Sequence, residues 1–184
     1  VSMMYQSTGD RELLRRLKYV LKELKLCQEA GKDGFLLGVK GGRELFREVA
    51  SGKIKTNNPT VNGAWAPVYL INKMLLGLSA AYTQCDLKEA LPILVRLADW
   101  FGSQVLDKLT DEQIQQLLIC EHGSINESYV EVYADNLDTS KTYYYYDGGF
   151  FGGSYEELQW NAQENEWGYY GGVLGGRWDS VTPK

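Results

Sequence analysis

The stretch "NGAWAPVYLINKMLLGLSAAY", residues 62–82, decides the fold. Pro67 stands where a helix begins, because proline's missing N–H is one of the donors that a first turn leaves unused anyway. From there to about Tyr82, the side chains of Leu70, Ile71, Met74, Leu75, Leu76 and Leu78 cover most sides of the expected helix. A helix that is apolar all round belongs inside a protein, so this one reads as an inner helix.

Its neighbours read differently. Leu13, Leu14, Leu17, Val20, Leu21 and Leu24 recur at helical spacing and predict an amphipathic helix after Asp10. A further amphipathic helix is expected from about Leu87 to Leu106, with Arg96 and Asp99 on its polar side. Pro92 either kinks it or marks a later start. A short helix follows Thr110, where Thr110 and Gln113 make a capping box. The last helix begins near Ser124 and runs to about Asn136. Segments starting at Tyr5, Tyr82 and Tyr133 each carry a tyrosine, a polar turn and an aspartate. Asp10 and Asp86 suit the cap before a new helix, and Asp86 with Glu89 spells a capping box. The unit is helix, tight turn, helix. Alternating inner and outer helices predict stacked αα-hairpins in a toroid or solenoid.

Two loops interrupt the helices. "GKDGFLLGVKGGRELF", residues 31–46, is glycine-rich and predicts an extended turn or hairpin; "KIKTNNPTVNGAWAP", residues 53–67, predicts a longer polar loop. After Lys141 the composition shifts to Gly, Tyr and Trp, so the chain divides into residues 1–140 and a tail, 141–184. Strands around Tyr143–Tyr146 and Trp167–Tyr170, a poorly ordered tail, and a frame break in the source gene are all open readings.

Composition excludes several classes. The net charge of −5 comes without a basic run, so no nucleic-acid partner is expected. No apolar stretch approaches the ~20 residues of a membrane span, and no membrane partner is expected. Cys27, Cys85 and Cys120 are odd in number and widely spaced, which predicts buried reduced thiols and no metal site. The chain starts at Val1 and reads as a fragment or processed product.

Two constellations are candidates for chemistry. His122, the one histidine, precedes Gly123, and Ser124 to Glu127 fit a capping box with Asn126 in the first turn. Trp65 and Tyr69 open the inner helix, where they suit either core packing or an aromatic wall for a sugar ring. Asn72, one turn on, puts an amide on an apolar helix, and a buried amide needs partners. In a toroid of hairpins the N-terminal ends of inner helices share one face, so both constellations converge there.

Three segments carry a resemblance to the β-L-arabinofuranosidase-type glycoside hydrolases, a family of (α/α)6-barrel proteins. "CQEAGKDGFLLG" is similar to the family's Gln-x4-Asp-Gly motif, "NGAWAPVYLINKMLLGLSAAY" to its Trp-Pro-Tyr-His-Lys motif, and "CEHGSINESYVEVYA" to its Gly-Met-Asn-Glu motif. They occur in family order across roughly residues 1 to 140. Asn72 stands where the family has a histidine, and Ala80 where it has an aspartate. The resemblance implies an all-α, partial (α/α)6 barrel that hydrolyses L-arabinofuranosides or related plant-polysaccharide sugars when complete. It implies that His122, Glu127, Asn126, Trp65, Tyr69 and Asn72 bind a carbohydrate substrate. The family's cysteine nucleophile and its zinc, held by Cys and Glu, belong to the later half of the barrel. No cofactor is therefore expected in this chain, zinc belongs to the complete family member, and the chain alone is expected to be silent. Exposed sides of inner helices predict self-association. A non-catalytic helical-repeat module that binds a glycan or protein is the alternative.

Overall fold

The computed structural model describes residues 1–57, 59–119, 124–136, 156–161 and 166–171. The described helices are α1 (Ser2–Thr8), α2 (Arg11–Gly31), α3 (Gly42–Ala50), α4 (Pro67–Cys85), α5 (Ala90–Gln104), α6 (Asp111–Leu118) and α7 (Ser124–Asn136). The domain is all-α, part of a helical barrel. Helix α4 packs against α1, α5 and α7, while α2 lies against α5. Thus α1, α4 and α7 form an inner layer and α2 and α5 an outer one. Every large apolar residue of α4 is at least half-buried, with Ile71 and Leu75 fully so, as a helix enclosed on all sides requires.

The helix ends follow local chemistry. The carboxylate of Asp10 accepts from the Glu12 amide at 2.8 Å and caps α2. At α6 the capping box of Thr110 and Gln113 is complete. Helix α5 starts at Ala90, so Pro92 falls in its first turn, where its missing N–H leaves no intrahelical bond unmade. Asp86 departs from expectation. It ends α4 in the left-handed conformation, with φ 53°, and its carboxylate pairs with Lys88 at 2.6 Å. One residue cannot both close α4 in that conformation and cap α5 from extended backbone, so Glu89 stands at the α5 start without a side-chain cap. Val20 also leaves the predicted apolar face of α2, at 47% exposure.

The glycine-rich loop holds a turn and then α3, with no strand among its described residues. Gln28, 2% exposed, anchors that turn: its Nε2 donates to the carbonyls of Gly34 and Ile93, both at 3.0 Å. Asp33 accepts from the Phe35 amide and pairs with Arg43, whose guanidinium also lies over the Phe35 ring. The Arg43 guanidinium holds the Asp33 carboxyl below the usual carboxylate range. Phe35 and Phe46 both meet Trp100 edge to face, which ties the loop and α3 to α5.

The expected polar loop before α4 is a small antiparallel meander of β1 (Thr56–Asn57), β2 (Thr60–Val61) and β3 (Ala64–Trp65). Asn62 and Gly63, with φ 47° and 82°, form the two-residue turn between β2 and β3. Asn-Gly is a favoured pair for such a turn, because both positions need positive φ. Asn62 also binds sideways: its Oδ1 accepts from the Lys55 amide at 2.7 Å, and its Nδ2 donates to the Lys53 carbonyl at 2.8 Å and to Glu48 at 3.2 Å. In the tail, β4 (Glu156–Asn161) and β5 (Glu166–Gly171) pair antiparallel, with Trp160 opposite Trp167. The strand expected near Trp167–Tyr170 is therefore β5, while Tyr143–Tyr146 lies outside the described residues.

Candidate functional site

Helices α4 and α7 set the site. Ser128 of α7, 1% exposed, donates its hydroxyl to the amide oxygen of Asn72, which is fully buried on α4. Further along, Ser79 of α4 hydrogen-bonds the carboxyls of Glu131 and Asp135 on α7. The pairings 72–128 and 79–131/135 advance in the same direction along both helices, so α4 and α7 run parallel. Their N-terminal ends share one face. Tyr129 fixes α7 from its other side, donating its hydroxyl to the Ala98 carbonyl of α5 at 2.9 Å.

The six sequence-predicted residues fall into three groups. Asn72 and Asn126 are both buried near this shared end, with Asn126 5% exposed in the first turn of α7. Glu127, next to it, is exposed. Trp65 and Tyr69 sit at the start of α4, ring centroids 6.3 Å apart and nearly perpendicular. Tyr69 is half-buried under the ammonium of Lys73, whereas Trp65 is 59% exposed. Ala66, with φ 38°, turns the chain sharply from β3 into α4. His122 lies outside the described residues, as does the side chain of Ser124, the expected cap partner of Glu127.

Sequence reading passed over Glu131 and Asp135. With Glu127 they recur every fourth residue on α7, one acidic line along the helix. The spacing was the available signal. Burial pushes the Glu131 and Asp135 carboxyls above their ordinary values of 4.5 and 3.8, and neighbouring Glu127 and Asp135 add repulsion at Glu131. One Asp135 oxygen is buried without a hydrogen-bond partner among the described residues. At ~1.5 Å per residue these groups lie about 6 and 12 Å down the helix from Glu127, toward its C-terminal end and away from the shared N-terminal face.

A raised carboxyl pKa means that the folded chain binds more protons than the unfolded one above the ordinary values. This contribution to stability is fullest below about pH 4 and is lost as pH rises through the raised values. Glu131→Gln should therefore lose less thermal stability than the parent between pH 4.5 and pH 7. Parallel Tm-against-pH curves for the two proteins would refute the assignment.

Among the described residues no three His, Cys, Asp or Glu side chains are placed to hold an ion. Cys27 is exposed on α2, contrary to its expected burial, and Cys85 lies half-buried at the C-terminal end of α4, 3.8 Å from the Ser2 carbonyl oxygen. Cys120 lies outside the described residues. Among the described residues no helix is long and apolar enough to cross a membrane.

Parallel inner helices with polar ends on one face, backed by an outer layer, define the chain as part of an (α/α)-barrel protein. The family it belongs to is that of the β-L-arabinofuranosidase, GH127 catalytic domain, whose model matches residues 1–145. The chain is therefore a member of a glycoside hydrolase family. No curated protein matches it.

Proposed function

We propose that this chain supplies the sugar-facing helix ends of a glycosidase barrel that hydrolyses L-arabinofuranosides or related plant-polysaccharide sugars. The parallel pairing of α4 with α7 carries the reading, since it brings the Trp65–Tyr69 opening of α4 and the Asn126–Glu127 opening of α7 to one end of the inner layer. The aromatic pair offers apolar surface to a ring's C–H face, the Tyr69 hydroxyl adds a polar handle for a sugar hydroxyl, and the exposed Glu127 carboxylate accepts from ring hydroxyls. Asn72 stands one layer behind, holding α7 through Ser128. Met3 and Met4, exposed on inner helix α1, belong to the apolar surface through which copies of the chain associate.

Glu127→Gln and Tyr69→Phe test the placement with little change of shape. Each should weaken binding of methyl β-L-arabinofuranoside by about fivefold to tenfold, the scale of one hydrogen bond to a charged or buried partner. Titration calorimetry on parent and variants reads the effect. Unchanged affinity in both would remove these residues from the site.

A further inference from the structure

Beside Trp65 the surface opens into a hollow of about 510 Å³, walled by α3 and by the β2–β3 turn. Val39, Lys40, Glu44, Glu48, Asn62 and Trp65 are among its lining residues. A second hollow of about 480 Å³ continues past Glu48, Asn62 and Gly63 toward Lys55, Thr56 and Asn57. The shared residues make the two one track along the meander. None of Asn72, Asn126, Glu127 or Ser128 lines either part, so the track is distinct from the helix-end face and meets it at Trp65 and Leu70.

We propose that this track is a distal sugar subsite, which holds the third and later units of an oligosaccharide whose first two units sit at the helix ends. The inference rests on the carbohydrate reading above. Its volume is in the ~300–1,000 Å³ range of ligand sites. Trp65 is exposed there, while its ring is steadied by the edge contact with Tyr69. An indole presents a broad apolar face to the C–H face of a sugar. Around it stand the Glu44 and Glu48 carboxylates, which accept from hydroxyls, and the Lys40 ammonium, which donates to them. Along the track the Glu44 and Glu48 carboxylates alternate with the Lys40, Lys53 and Lys55 ammonium groups, and a neutral polyol uses such donors and acceptors together. The floor is rigid, because Asn62 ties Glu48 to the 53–55 segment through three hydrogen bonds. A preorganised floor lowers the ordering cost of binding.

The test compares β-linked L-arabinofuranose disaccharide and tetrasaccharide by calorimetry on this chain and on Lys40→Ala and Glu44→Ala. Both side chains are exposed, so the fold tolerates their loss. The tetrasaccharide should bind about tenfold tighter than the disaccharide, and each variant should remove most of that gain while leaving disaccharide affinity unchanged. A tetrasaccharide no tighter than the disaccharide, or a gain that survives both variants, would overturn the distal subsite. Failure of the disaccharide alone, with tetrasaccharide binding that the variants abolish, would support the subsite and overturn the helix-end reading. Binding of neither sugar would overturn both.

Discussion

Gly34→Ala will unfold the chain at a much lower temperature than the parent, or prevent it from folding. The residue has φ 96°, where an L side chain is strained. A β-carbon added there would stand 2.5 Å from the Arg96 carbonyl oxygen and 3.2 Å from the β-carbon of Trp100. The first obstacle is backbone of α5, so it cannot rotate away. The strain costs about 1–2 kcal/mol and displacing a packed helix at least as much again. Against a total stability of about 5–15 kcal/mol, that is a large fraction. Thermal unfolding followed by circular dichroism checks it, and a Tm within a degree or two of the parent would show that the loop does not press on α5.

Gln28→Ala comes next. The amide bridges α2, the glycine-rich loop and α5, and its removal leaves the Gly34 and Ile93 carbonyls without that donor in a buried place. Each unsatisfied group costs about 1–3 kcal/mol, and the cavity adds to it. An expected loss of about 3–5 kcal/mol in urea unfolding follows. Because Gln28 bonds Gly34, the double variant should lose less than the two single losses combined. A Gln28→Ala loss below about 1 kcal/mol would mean that water replaces the amide. Both variants address the first family-like segment, whose Gln and Asp-Gly thereby gain a physical account: they hold the loop that positions α3, one wall of the proposed sugar track.

The inner and outer helices were legible because their cause is local. Apolar coverage on all sides of α4 and on one side of α5 reflects which neighbours each must meet, and that shows in the spacing of leucines. The caps at Asp10 and Thr110 were legible for the same reason. Asp86 was misread because the same residue type serves two opposite geometries. A short polar side chain tolerates the left-handed conformation that ends a helix as well as the extended one that begins it. Helix α3 was hidden because its glycine neighbours argue for a turn, while Leu45, Phe46 and Val49 are buried by tertiary contacts that a local reading does not weigh. The Asn62-Gly63 turn was a missed signal, since that pair marks a tight hairpin.

The site divides along the same line. That Trp65 and Tyr69 open an inner helix was readable from Pro67. That Trp65 is exposed beside a hollow also lined by Lys40 and Glu44 was not, because the folding of the preceding loop brings these residues around it. Asn72 showed its polarity in an apolar run, but its partner Ser128 lies 56 residues away and no spacing rule links them. Glu131 and Asp135 needed the burial of α7 before their spacing acquired a consequence.

The most direct test of the account is amide chemical-shift mapping of the chain with a β-linked L-arabinofuranose disaccharide. If the parallel ends of α4 and α7 face the sugar, shifts concentrate in residues 62–72 and 124–128 and saturate with one affinity. Shifts confined to α2 and the outer side of α5, or none at millimolar sugar, would contradict the sugar-facing assignment.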